Sequence, residues 1–263
     1  MNVRSDSARY GIGGFIITGN APKQVLLRAI GPTLTRFGID PALCLADPVL
    51  ELHGPTGFTT ITNNNWRDTQ EAAIQATGIP PTNDLESAIL VTLTPGNYTA
   101  IVRGNGGGTG IALVEAYDLA QGADSRLANL STRAFVGIQD NIVIAGFVLR
   151  ANGADGSSAA NRIFVRGIGP SLAPNPLPAS AVLADPTLEL RDTNGTLILA
   201  NNDWQDNAVQ AAEIAAAGLA PSNNLESAIA ATLSPGLYTA LLAGRDFGTG
   251  IGLVEIYDGG AAP

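Results

Sequence analysis

The chain has 263 residues, with 14 Lys+Arg against 23 Asp+Glu and a net charge of −9. That balance excludes nucleic acid and anionic membrane surface as partners, because both are held by basic patches. A single His (His53), a single Cys (Cys44) and a single Lys (Lys23) leave no intrachain disulfide, no histidine-rich zinc site and at most one histidine-dependent triad.

Hydrophobic residues make up 45% of the chain, too many for a disordered composition. Gly 31 and Pro 16 favour many short strands over long helices. No apolar run approaches the roughly 18–20 residues of a membrane span. The opening Met-Asn-Val-Arg has no signal-peptide character, so an extracellular protein of this sequence implies a leader that is absent here.

In chain order, strands are expected at Gly11–Thr18, Gln24–Ile30, Val49–His53 and Thr59–Thr62. An Ala-rich helix at Gln70–Thr77, closed by Gly78, comes next. Strands at Ser87–Leu93 and Asn97–Arg103 are joined by a Pro95-Gly96 turn, and Gly110–Tyr117 follows a flexible Gly104–Gly110 loop. Leu119–Arg126 is small and polar, and reads as a linker. Leu127–Val136 reads as an extra first strand, and from there the pattern returns.

Gly14-Phe15 recurs as Gly146-Phe147, and Arg28-Ala-Ile-Gly-Pro32 as Arg166-Gly-Ile-Gly-Pro170. Asp47-Pro48-Val-Leu-Glu51-Leu52 recurs as Asp185-Pro186-Thr-Leu-Glu189-Leu190, and Asn63-Asn-Asn-Trp66 as Asn201-Asn-Asp-Trp204. A second Ala-rich helix at Asn207–Ala217 ends at Gly218. Leu85-Glu-Ser-Ala-Ile89, Leu113-Val-Glu115 and Tyr117-Asp118 all return 140 residues later. The expected fold is all-β: two tandem homologous jelly-roll-like β-sandwich domains, each with one short helix, spanning 1–118 and 127–263. Repeat 1 lacks a counterpart of Leu127–Thr132. A missing strand leaves a sheet edge open for another chain, so the sequence reads as a segment of a longer multi-repeat protein or as one completed by a neighbour.

These shared motifs resemble a family of secreted bacterial β-sandwich repeats. The pattern is Leu-Ser-Thr-Arg (130–133), Gly-Phe, Arg-x-Ile-Gly-Pro, Asp-Pro-x-Leu-Glu-Leu, Asn-Asn-x-Trp, Leu-x-Pro-Gly-x-Tyr-Thr-Ala and Gly-Thr-Gly-Ile-x-Leu-Val-Glu-x-Tyr-Asp. The second half of each repeat is also similar to the bacterial pre-peptidase C-terminal domain, a jelly-roll-like accessory module linked to secretion, substrate contact or calcium. The resemblance implies a non-catalytic extracellular module and carries over no catalytic residue.

Arg28 and Arg166 lie inside apolar strands, as do Glu115 and Glu255. Ionised groups in such settings need partners, so Arg28–Glu115 and Arg166–Glu255 pairs are expected within the sandwiches. Asn64, Asn65 and Asp68, with Asn202, Asp203 and Asp206, offer the oxygen types that calcium takes. They equally suit an Asx-rich turn that bonds to local backbone. Trp66 and Trp204 are either sugar-stacking platforms or core plugs. Cys44 aligns with Val182 and reads as a small buried hydrophobe; His53 aligns with Arg191 and reads as solvent-facing.

The function expected is that of a non-catalytic structural or adhesive repeat of a secreted or cell-surface protein. It self-assembles through strand or edge packing, with further copies or adjacent repeats as partners. Leu127, Leu130 and Phe135 mark the assembly strand. The alternative is a carbohydrate-binding module for polysaccharide, calcium-stabilised.

Overall fold

The computed structural model describes residues 2–3, 10–139, 141–149, 160–173 and 177–261. The fold is all-β and of sandwich type, with two short α-helices among the described residues. None of these helices is long and apolar enough to cross a membrane. The chain divides into two compact units, Met1–Leu130 and Ser131–Pro263.

Unit 1 contains β1 (Asn2–Val3), β2 (Gly11–Gly19), β3 (Lys23–Ile30), β4 (Pro48–His53) and β5 (Ile61–Asn63). Then come α1 (Glu71–Ala76), β6 (Ser87–Leu93), β7 (Gly96–Gly104), β8 (Gly110–Ile111) and β9 (Leu113–Asp118). Strands β2-β7-β4-β5 form one antiparallel sheet and β6-β3-β9 a second, while β1 pairs with β8. β10 (Ser125–Val136) starts inside the segment expected to be a linker, and the division between the units falls within it.

Alternation along β3 explains how unit 1 is layered. Val25, Leu27 and Ala29 point into the core between the sheets, against Phe15, Leu50, Leu52, Tyr98 and Val102. Leu26 points the other way, into a second cluster with Trp66, Ile74 of α1 and Ala88. The helix therefore covers the outer face of the short sheet. It stops where Gly78 takes a left-handed conformation (φ 75°), which a side-chain-bearing residue adopts only at a cost. The glycine of Arg-x-Ile-Gly-Pro has a different reason: a Cβ on Gly31 would lie 2.0 Å from the Leu45 carbonyl oxygen.

Unit 2 holds β11 (Val143–Leu149), β12 (Asn161–Ile168), β13 (Pro186–Asp192), β14 (Leu197–Asn201), α2 (Ala208–Ala216), β15 (Ser227–Leu233), β16 (Gly236–Gly244) and β17 (Gly250–Ala261). Its orders, β11-β16-β13-β14 and β15-β12-β17, match those of unit 1 strand for strand. β10 continues the second sheet beyond β17. Phe164, Ile214, Ala228 and Ala230, with Trp204, form the cluster beneath α2.

Candidate functional site

Arg28 and Glu115 are register partners on β3 and β9. Arg28 Nε and Nη2 both donate to Glu115 Oε2, at 2.8 and 2.5 Å. Nη1 donates to the Ile79 carbonyl at 2.7 Å, and Nη2 also reaches the Tyr117 hydroxyl at 2.8 Å. That hydroxyl donates to Glu115 Oε1 at 2.8 Å. Unit 2 repeats the arrangement with Arg166, Glu255, Tyr257 and the Leu219 carbonyl. Both expected pairs form, half-buried, on the outer face of the short sheet. Arg28 shares the outer face with Leu26, because positions two apart on a strand point the same way. Burial, then the hydrogen bond to the Glu115 carboxylate, pushes the Tyr117 phenol up to about 12. Burial also raises Tyr257, with the Glu255 charge adding to it.

Three further charged residues, Glu86, Glu226 and Lys23, are more deeply placed. Glu86 is fully buried and holds the turn after β3, accepting from Gly31 N (3.2 Å), Thr33 N (2.8 Å) and Thr33 Oγ1 (2.8 Å). Glu226 does the same for Gly169 N and Ser171 N, at 3.1 and 2.8 Å. Lys23 is also fully buried, its ammonium bonded to Asp118 Oδ2 at 2.7 Å and the Ala120 carbonyl at 3.1 Å. Pairing lets such groups be buried at all.

The Asn-rich turn is satisfied from within at its first position. Asn63 donates to the Asn65 carbonyl and accepts from Ala88 N, both at 2.9 Å; Asn201 bonds in the same way to Asp203 and Ala228. Ser87 Oγ donates to the carbonyls of Pro48 and Asn64, and Ser227 Oγ to those of Pro186 and Asn202. These bonds draw Asp47, which precedes Pro48, toward Asn64 and Asn65. Asp47, Asn64 and Asn65 each keep one Oδ1 that is shut off from solvent and has no partner, and Asp185, Asn202 and Asp203 repeat this. Burial raises the Asp185 carboxyl, opposed by Arg245 and reinforced by the Asp203 charge. Asp68 and Asp206 are exposed; Asp68 receives the Asn65 side-chain amide at 3.3 Å. Among the described residues, no three His, Cys, Asp or Glu side chains form a group that could hold a metal ion.

Trp66 is only 2% exposed, with its indole N–H on the Asn83 carbonyl, so it has no free face for a sugar. Trp204 is partly buried under α2 and its N–H lacks a partner. Cys44 is buried and free, and His53 lies near the surface beside Glu51. In β10, Leu127 and Leu130 pack on the unit 1 core, and Phe135 is partly buried. No protein-family model matches this chain, and no curated protein matches it.

Proposed function

We propose that this chain is a non-catalytic structural repeat of an extracellular or cell-surface protein that works by packing against further copies of the same repeat. One observation supports it above the others. The Arg–Glu–Tyr arrays and the buried Glu clamps recur in both units with the same backbone partners, and each engages its charge in holding loops to sheets. Electron microscopy of the purified chain at micromolar concentration tests this reading. Ordered fibres or regular oligomers are the expected result; dispersed monomers at every concentration overturn it.

A second reading, a calcium-stabilised module that takes polysaccharide, is favoured by the six buried oxygens of Asp47, Asn64, Asn65, Asp185, Asn202 and Asp203. All are acceptors, which is what a hard cation seeks. Terbium luminescence excited through tryptophan is the check, because Trp66 and Trp204 directly follow Asn65 and Asp203. Sensitised emission that calcium displaces, and that Asp47→Ala with Asp185→Ala abolishes, supports the reading. Emission indistinguishable from free terbium refutes it.

A further inference from the structure

We infer that the outer edge of β9 in unit 1 is a docking site for a linking strand of the Ser125–Val136 type, carried by a further copy of the repeat. The inference rests on the packing role proposed above and names the surface and the segment that it uses.

The two units differ at this edge and serve as each other's control. In unit 2 the edge of β17 is covered by β10. There Ile251, Val254 and Ile256 are buried, Val254 completely. The counterparts in unit 1, 140 residues earlier, are Ile111, Val114 and Ala116, and all three are partly exposed. Leu113 is 39% exposed. β1 fills only the start of the edge, with Asn2 facing Ile111 and Val3 facing Gly110. Beyond it, β9 pairs with β3 on one side, and no described residue pairs with its other side. A strand edge of this kind presents a row of free N–H and C=O groups, the template for β-augmentation.

The chemistry of the occupant can be read from unit 2. Ala134 and Val136 of β10 are buried there. Val136 lies against Gly252, whose added Cβ would come within 3.1 Å of its side chain. The segment Ser125–Val136 carries Arg126 and Arg133 and no acidic residue, while the chain as a whole carries −9. On β9 itself, Glu115 and Asp118 are already paired with Arg28 and Lys23, so an incoming strand meets no unpaired carboxylate on that element. The edge thus suits a weakly basic, alternating strand with small apolar residues inward.

The experiment adds a labelled synthetic peptide of residues 125–136 to the full chain and follows both binding and amide exchange. Saturable one-to-one binding is expected, with exchange at Leu113–Asp118 slowed at least about tenfold. A peptide carrying Asn129→Pro and Leu130→Pro, which loses a backbone donor in either alternation, is expected to lose binding by at least about tenfold. Absence of saturable binding overturns the inference, as does protection confined to β11 or another edge. Fibres without peptide binding overturn this inference and leave the packing role standing. Peptide binding by a chain that stays monomeric at all concentrations supports the site and overturns the packing role.

Discussion

Replacing Glu86 by alanine tests whether the buried carboxylate fastens the turn that follows β3. Four donors converge on it: Gly31 N and Thr33 N on Oε1, and Thr33 Oγ1 with a longer contact from Asn83 N (3.4 Å) on Oε2. The Gly31 bond is buried, so its amide loses its acceptor with no access to water; the two Thr33 donors are half-buried and can be partly rehydrated. A buried donor left unsatisfied costs about 1–3 kcal/mol, and a bond to a charged group contributes about 1.5–3 kcal/mol, so a total near 3–4 kcal/mol is expected. For a unit of this size, each kcal/mol lowers the melting temperature by about 3–4 °C, which gives a drop of roughly 10–15 °C. Glu86→Gln retains an acceptor for the two amides, and the Thr33 hydroxyl can turn, so about a third of the loss is expected. Thermal unfolding followed by circular dichroism gives the values, and exchange at the Gly31 amide locates the effect. An alanine variant that melts within about 2 °C of the parent refutes the reasoning, since that shift is worth less than one ordinary hydrogen bond.

Arg28→Met removes a half-buried pair, the side chains being 15% and 21% exposed, and frees the Ile79 carbonyl. Because Glu115 keeps the Tyr117 hydroxyl and some water, a loss of about 2–3 kcal/mol is expected by urea unfolding, less than for a fully buried pair. Arg166→Met is expected to cost the same, and a parent-like midpoint for either variant counts against the pair. Spectrophotometric titration of the folded chain should show Tyr117 ionising at about 12 and Tyr257 also late. The fold favours the protonated phenols, so their contribution is intact below the ordinary tyrosine value of about 10 and is lost as the pH rises through the folded values. Tyr117→Phe should flatten that alkaline loss; five tyrosines all ionising near the ordinary value would contradict the buried placement.

The strands and short helices were legible because their signals are local. Alternating Ile, Val and Leu mark the strands, and alanine runs closed by Gly78 and Gly218 mark the helices. A partner for Arg28 followed from the cost of an unpaired charge in an apolar strand. The face it occupies was also readable, since Leu26 and Arg28 alternate with Val25, Leu27 and Ala29, but that reading needs the helix known to lie outside the sheet. The Glu86 clamp was not legible: its donors at Gly31 and Thr33 lie more than fifty residues away, and its local contact with Asn83 gives no hint of them. Asp47 and Asp185 carried a usable signal, a recurring Asp-Pro. Their approach to Asn64-Asn65 and Asn202-Asp203 depends on Ser87 and Ser227 bridging two carbonyls, which no spacing reveals.

What the two units vary is as informative as what they keep. The loop after β7 has Gly106 and Gly107 at φ 59° and 85°, where glycine is at ease. Unit 2 holds the same left-handed conformation with Asp246 and Phe247, at φ 51° and 61°. Left-handed backbone costs a side-chain-bearing residue about 1–2 kcal/mol, so something outside those residues must impose the shape. The backbone supplies the cause. Asn105 N donates to the Asp47 carbonyl and Arg245 N to the Asp185 carbonyl, both at 2.9 Å, and the loop closes with Gly108 N on Asn105 O and Gly248 N on Arg245 O. A Cβ on Gly104 would sit 2.0 Å from the Gly108 carbonyl oxygen, and one on Gly244 2.1 Å from that of Gly248, so the closure leaves no slack. The loop is therefore set by its grip on the aspartate whose carboxylate holds one of the unpartnered oxygens. Unit 2 keeps that grip with the strain, which ties the loop's shape to the position of Asp185 rather than to its own sequence.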